Sequence, residues 1–419
     1  MPLFRPSGLP YDVVCMIIDY LWDCQWKDDL ASCSLVCRDW LQPCRSLLFR
    51  SLKVHSTHAH GDFSAFTQLL ASPGGQCIRK HVRQLRLQGG PVWLDPQVRP
   101  RISLRLLADI INNSLPSLQG LEFCRVRFES DDVDLSLMGT WPRRTIGKLV
   151  FHCDSDQLDQ FVNILNLLGI FTDISHLEFR AGPLVWRLVP DGVLKNLCWL
   201  RPIKVHSLAL IEFPKRWTPV ALQAIEHSGS LDGTLDTLTV GFQGYADEVE
   251  AILPFIHAAA PCIRRLRLNP IPPGLDVTVD VEQLHELFTL PMDTFTNLRS
   301  LVLVMYSHDN PTDVAQLVSM IQFRAYILLL QRCVASGLAN VVLDVRKMDC
   351  DFALELDWDD MDRQLSGIES LQRVRVDYDR LTGFPVDELE ALVPRTVGKG
   401  ILCLRPAAYD EDWTQIPFE

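Results

Sequence analysis

Ile174-Ser175-His176-Leu177-Glu178-Phe179 states a pattern that much of the chain repeats: an apolar residue, two further residues, a leucine, one residue, then an apolar residue. The same spacing recurs in Val82…Leu85-x-Leu87, Leu118…Leu121-x-Phe123, Ile146…Leu149-x-Phe151, Val205…Leu208-x-Leu210, Leu235…Leu238-x-Val240, Ile263…Leu266-x-Leu268 and Leu298…Leu301-x-Leu303. Fainter copies are Leu338…Val341-x-Leu343 and Leu371…Val374-x-Val376, with Leu402-x-Leu404 as a last strand. The central residues from Leu85 to Leu402 follow one another at intervals of 28 to 40 residues. An interval of that size holds one strand and one helix, the mark of a repeat array. Helical periodicity does fall between the strands, at 104–112, 158–168, 220–227, 247–259, 281–288, 314–334 and 386–392. Strand–helix alternation of this kind predicts an α/β fold with a parallel sheet.

The array resembles a leucine-rich-repeat horseshoe, an α/β solenoid, over residues 81–405. The asparagine that normally closes each such repeat is missing: Val126, Gly182, Phe213, Gln243 and Ile271 occupy the matching positions. The resemblance therefore implies degenerate repeats of irregular curvature. A doubly wound nucleotide-binding enzyme would also alternate strand and helix. No Gly-x-Gly-x-x-Gly follows a strand here, and no phosphate loop is present. Gly89-Gly90-Pro91 reads as a turn. Residues 55–80 read as a helical linker, with a helix over 62–70 broken by Ser72-Pro73-Gly74-Gly75, and 406–419 as a C-terminal tail.

Residues 1–54 form a separate helical module. Pro10 is suited to the first position of a helix, where its missing N–H is not needed, and Asp12 places a negative charge in the first turn. Val13, Val14, Ile17, Ile18, Leu21 and Trp22 then make two adjacent apolar stripes. A second helix is expected from Asp28 or Asp29, with Leu30, Cys33, Val36, Cys37, Trp40 and Leu41 on one face, stopping at Pro43. About fifty residues cannot bury that much apolar surface alone, so part of the cover must come from the rest of the chain or from another protein.

Leu9-Pro10, Val14, Ile17-Ile18, Leu21, Leu30, Leu35-Val36-Cys37-Arg38, Trp40, Arg45, Leu48-Phe49 and Leu52 resemble the F-box of ubiquitin-ligase substrate receptors, in the version common in fungal proteins. The connection from Leu21 to Leu30 is several residues longer than the usual F-box spacing. The resemblance implies a non-catalytic adaptor. The module would dock the Skp adaptor, and through it a cullin–RING ligase, with Leu9, Pro10, Val13, Ile17, Leu35, Val36 and Trp40 at the interface or in the module's own core. The repeat domain would hold a protein substrate. The competing reading is a binding or scaffold protein that works without cullin or ubiquitin transfer.

Composition narrows the remaining classes. A net charge of −12 argues against nucleic acid, which needs a basic footprint. No apolar run reaches membrane-spanning length, and the first residues show no basic segment followed by an apolar core. Thirteen cysteines without a secretory signal are expected to be reduced thiols, which suits cytoplasm or nucleus. Zinc is not expected: Cys33 and Cys37 lie one turn apart within an apolar face, and no Cys-x-x-Cys occurs. No cofactor motif is present. Gly-x-Ser-x-Gly and His-Glu-x-x-His are absent, and His227-Ser228-Gly229-Ser230 sits where a helix gives way to a turn. Residues 344–419 carry 18 acids against 9 bases, densest at 351–362, which reads as a solvated face or a surface for a basic partner.

Strand alternation places Leu85 and Leu87 in the core and Gln84, Arg86 and Gln88 opposite. Carried along the array, this register lines up Arg86, Glu122, Glu178, Thr239, Arg267, Val302, Val342 and Arg375 on one concave face, with His152, Arg180 and Asp344 in the next row. Repeat arrays bind partners on such a face. The expectation is a substrate surface, with its apolar part at Val302, Val304 and Val342.

Overall fold

A computed structural model describes residues 9–23, 26–56, 63–90, 99–129, 142–153, 158–181, 202–211, 224–226, 228–242, 246–270, 292–306, 313–333, 337–348, 353, 355–379 and 386–407. The expected helix at 281–288, the tail beyond 407, His227 and the closing positions Gly182, Phe213, Gln243 and Ile271 lie outside the described residues. The chain divides into two compact units, Met1–Thr172 and Asp173–Glu419. Both are α/β and built on parallel strands.

The first unit opens with α1 (Tyr11–Asp23), α2 (Lys27–Cys33) and α3 (Arg38–Leu48). Pro10 stands just before α1, its carbonyl accepting from the N–H groups of Val13 (3.0 Å) and Val14 (3.2 Å). The expected second helix is in fact two. The break comes at Ser34–Cys37, where Cys37 is extended at φ −160°, and Pro43 lies inside α3. An interior proline forfeits one backbone bond, and here α3 tolerates the loss. Its inner side packs with α1 and α2 around Val14, Ile18, Leu30 and Cys44.

The sheet of this unit runs β1 (Ser51–His55), β2 (Gln84–Gln88), β4 (Gly120–Cys124), β6 (Arg144–Cys153), all parallel, while β3 (Arg101–Ser103) and β5 (Arg127–Glu129) form a separate pair. The strand β1 was expected as the end of the helical module. Leu52 and Val54 instead pair beside Leu85 and Leu87, so the parallel array begins at Ser51 rather than at 81. Ser72-Pro73 does not merely break the helix Ser64–Ala71. Ser72 Oγ accepts from Gly75 N at 3.1 Å and Pro73 opens a second helix, Pro73–Arg79. The helical segment Leu104–Asp109 continues as one π-turn, Ile110–Ser114. Arg144 donates to the carbonyls of Ile111, Leu115 and Pro116, and Arg79 to those of Asn113 and Ser114. Two guanidinium groups thus satisfy carbonyls that a helix end leaves open. In the core Phe123 stacks on Phe151 with ring centres 5.3 Å apart, and Phe128 meets Phe123 edge-on at 5.0 Å.

The second unit orders β7 (Phe171–Ala181), β8 (Lys204–Ile211), β9 (Thr237–Phe242), β10 (Arg265–Pro270), β11 (Ser300–Tyr306), β12 (Asn340–Lys347), β13 (Arg373–Tyr378) and β14 (Leu402–Pro406) side by side in chain order. Helices Ala246–Ala259, Asp313–Arg332, Trp358–Gly367, Val386–Leu392 and Pro394–Gly398 fall between them. The register is the one the repeat predicts: Leu177 pairs with Leu208, Leu208 with Leu238, Leu238 with Leu266, Leu266 with Leu301, Leu301 with Val341, Val341 with Val374 and Val374 with Leu402. Each of these residues from Leu177 to Val374 is buried, worth roughly 1.5–3 kcal/mol apiece.

Backbone bonds at the strand starts link successive strands. The Arg50 carbonyl accepts from the N–H groups of both Arg83 and Gln84, and the Arg83 carbonyl from Gln119 and Gly120. In the second unit the carbonyls of Arg264, Arg299 and Ala339 each accept in the same way from the two residues that open the next strand. The acidic run at 357–362 is explained by helix Trp358–Gly367. Asp357 caps it by accepting from Asp360 N at 3.1 Å, and Asp359 and Asp360 sit in its first turn, paired with Arg363.

Candidate functional site

Two surfaces carry the expected site residues. The first is on α1–α3. Its two apolar stripes have separate fates. Val14 and Ile18 are buried, with Leu21 and Trp22 packed against them. The neighbouring stripe is open: Ile17 is exposed, as are Met16 and Tyr20, and Val13 is half-buried. Leu9, Pro10 and Tyr11 are exposed before and at the start of α1. In the turn between α2 and α3, Leu35 is 84% and Val36 55% exposed. Trp40 is half-buried against the module core, so it is chiefly a core residue. Tyr11, Met16 and Tyr20 were missed by sequence reasoning. Met16 and Tyr20 stand at helical spacing from Val13 and Ile17, which was the available signal. Leaving this many large apolar side chains in water is unfavourable, which makes these exposed residues a candidate interaction surface.

The second surface is the sheet face opposite the leucine anchors. Its rows are in register as expected. Arg86 pairs beside Glu122, and Glu178 is followed by Ala209, Thr239, Arg267, Val302, Val342 and Arg375 on successive strands. Accessibility is not as expected. Glu178, Thr239, Arg267, Val302, Val342 and Arg375 are all buried, and Val302, Val304 and Val342 form an apolar core cluster of their own. The second unit's sheet is therefore buried on both faces around β10–β13, as parallel sheets commonly are. These residues are interior and do not form an open substrate surface.

The charges among them are organised. Asp344 receives Arg346 Nε and Nη2, each at 2.8 Å. Asp377 receives Arg405 Nε at 2.8 Å and Nη2 at 3.0 Å, and lies 3.1 Å from Arg375 Nε. Glu178 binds His176 at 3.2 Å and also Arg180. Burial pushes the Arg267 guanidinium down to about 10, with Arg346 and Arg375 acting in the same direction and Asp344 and Asp377 opposing them. Asp377–Arg405 joins β13 to β14, whereas the other pairs lie within one strand, and removing one partner would strand a buried charge.

This face is partly open in the first unit, and in the second at His176 and Arg180, whose side chains are 22% and 29% exposed. The side chains of Arg86, Glu122 and His152 are 37%, 29% and 21% exposed. Glu122 Oε1 is shared between Arg86 Nη1 at 3.2 Å and His152 Nε2 at 2.9 Å.

No catalytic constellation emerges among the described residues. Ser228 and Ser230 are buried and bond each other at 2.7 Å, while Ser230 Oγ donates to Ile203 O and accepts from Val205 N. They tie their turn to β8. No three His, Cys, Asp or Glu among the described residues gather as metal ligands, and the nine cysteines described are free thiols. No described helix is long and apolar enough to cross a membrane. No family model matches the chain, and no curated protein matches it.

Proposed function

We propose that the chain is the substrate-recognition adaptor of a Skp–cullin–F-box ubiquitin ligase, acting without catalysis in cytoplasm or nucleus. In this reading α1–α3 docks the Skp adaptor, and the strand–helix units, a degenerate leucine-rich-repeat array, receive the substrate. One observation carries it. Leu9, Pro10, Ile17, Leu35 and Val36, chosen from the F-box resemblance, are all exposed on a module whose core is already complete without them. Apolar side chains at the module's own core would be hidden; these lie where a partner's surface would cover them.

The test is binding of the full chain to purified Skp adaptor. Leu35→Asp changes a side chain that is 84% exposed, so folding should be unaffected. Affinity should fall by about 2 kcal/mol or more, the loss typical of a central interface residue. Wild-type affinity in both Leu35→Asp and Ile17→Asp would refute the docking assignment. An adaptor complex that recruits no cullin would favour the scaffold reading.

A further inference from the structure

The connection between α1 and α2, longer than the usual F-box spacing, ends on a residue that the helix itself does not call for. Trp26 is the N-cap of α2, and its side chain makes no capping hydrogen bond. Ser, Thr, Asp or Asn at that position would satisfy an open N–H group of the first turn. The backbone of Trp26 is nonetheless held in place. Its N–H donates to the Leu21 carbonyl at 3.0 Å, and its carbonyl accepts from Leu30 N–H at 3.1 Å. The ring stands edge-on to Tyr20 of α1, with centres 6.2 Å apart and planes at 86°. Both Tyr20 and Trp26 are exposed. Trp22 has a different fate: it packs against the module core and carries Lys27 Nζ 5.9 Å from its ring centre.

We propose that the Tyr20–Trp26 pair is a further anchor for the adaptor that docks on α1–α3, an aromatic extension of that surface supplied by the lengthened connection. The inference rests on the function proposed above. Tyr20 belongs to the open stripe of α1, one turn after Met16 and Ile17. Through Tyr20, Trp26 carries that stripe from α1 onto the start of α2, so a partner covering Ile17 can cover both rings. Tyr and Trp present large area at low entropic cost, and they are the residues on which binding energy concentrates. The helix position of Tyr20 and the backbone bonds of Trp26 fix both rings before a partner arrives, which reduces the ordering that binding must impose. A local rule broken with no gain inside the module points to a gain outside it. A second copy of the chain is a poorer cover. Asp19, Lys27, Asp28 and Asp29, the exposed charged neighbours of these rings in sequence, are mostly acidic, so two copies facing each other here would oppose like charges.

The experiment measures the affinity of the full chain for purified Skp adaptor by titration calorimetry, with urea unfolding of each variant. Trp26→Ser supplies an ordinary N-cap, so the chain should unfold at or above the wild-type midpoint while adaptor affinity falls about tenfold. Tyr20→Ala should lose affinity to a similar extent. Trp26→Phe, which keeps a ring beside Tyr20, should retain most of it. A Trp26 with a merely structural role would lower stability and affinity together, and that result would overturn the proposal. Wild-type affinity in both Trp26→Ser and Tyr20→Ala, when Leu35→Asp has lost it, would overturn this inference and leave the ligase reading standing. Sedimentation of the chain alone tests the other cover: a dimer that Trp26→Ser dissociates would assign the pair to self-association and overturn the inference as well. A wild type that binds no adaptor would instead remove the ligase reading, and this inference with it.

Discussion

Cys44 and His81 show how single side chains respond to their surroundings. Cys44 is buried in the three-helix core, and burial, with Cys33 nearby, pushes its thiol up to about 11. It behaves as a small apolar residue, in line with the free-thiol expectation. His81, between helix Pro73–Arg79 and β2, is pushed below its ordinary value by burial first and then by the charges of Lys80 and Arg45. Its Nε2 is buried without a hydrogen-bond partner. The folded protein therefore favours the neutral ring, while the unfolded chain takes up a proton below about pH 6.5. Stability from this group is present above that pH and is lost as pH falls toward the lower folded value. Urea unfolding should thus show a midpoint that drops between about pH 7 and pH 5, with a shallower drop in His81→Leu. An identical slope in the two proteins would remove His81 from the account.

Elements were legible where their signal was local. Helices Leu158–Leu168 and Val386–Leu392 lie where periodicity predicts them, and all eleven strand anchors from Leu85 to Leu402 fall in parallel strands. What misled was punctuation. Pro43 reads as a stop but sits inside α3, whereas Ser72-Pro73 starts a helix. Proline forbids one backbone bond; whether a helix survives that loss depends on packing elsewhere. Helix Trp358–Gly367 was hidden in an acidic run because its apolar members, Trp358, Met361 and Leu365, are sparse. Its Asp362 is fully buried and holds the start of helix Pro394–Gly398, accepting from Arg395 N at 2.9 Å, Thr396 N at 2.8 Å and Thr396 Oγ1 at 2.6 Å. Asp362→Ala should lower stability by about 2–3 kcal/mol, a lost cap plus buried donors left unmet. Asp362→Asn, which keeps one acceptor oxygen, should lose less. Equal unfolding curves for Asp362→Ala and wild type would show that the cap contributes nothing.

At the scale of the whole molecule, burial of the sheet face opposite the anchors decides which of its residues are core. Sequence reasoning assigned Val302 and Val342 to an open binding surface. Their burial, with Val304, makes them core. Val302→Glu should therefore unfold the second unit rather than selectively weaken partner capture, because an unpaired carboxylate in an apolar cluster costs several kcal/mol. Circular dichroism and urea titration check this, and a variant as stable as wild type would restore the open-surface view. Lys53→Glu, at an exposed position, should change stability by less than about 0.5 kcal/mol.

Strand placement, parallel pairing and register were determined by the sequence itself. They rest on a two-residue alternation locked to a recurring leucine, and a slip of one residue would turn every anchor to the wrong side. The same logic placed Arg86, Glu122, Arg267 and Arg375 in their rows. Tertiary structure alone decided which apolar stripe of α1 is core and which is open, and why Arg267 is interior while Lys53 and Arg86 meet solvent. Alternation and helical period say which residues share a side of an element. Whether that side is covered depends on segments distant in the chain, and no local pattern records their arrival.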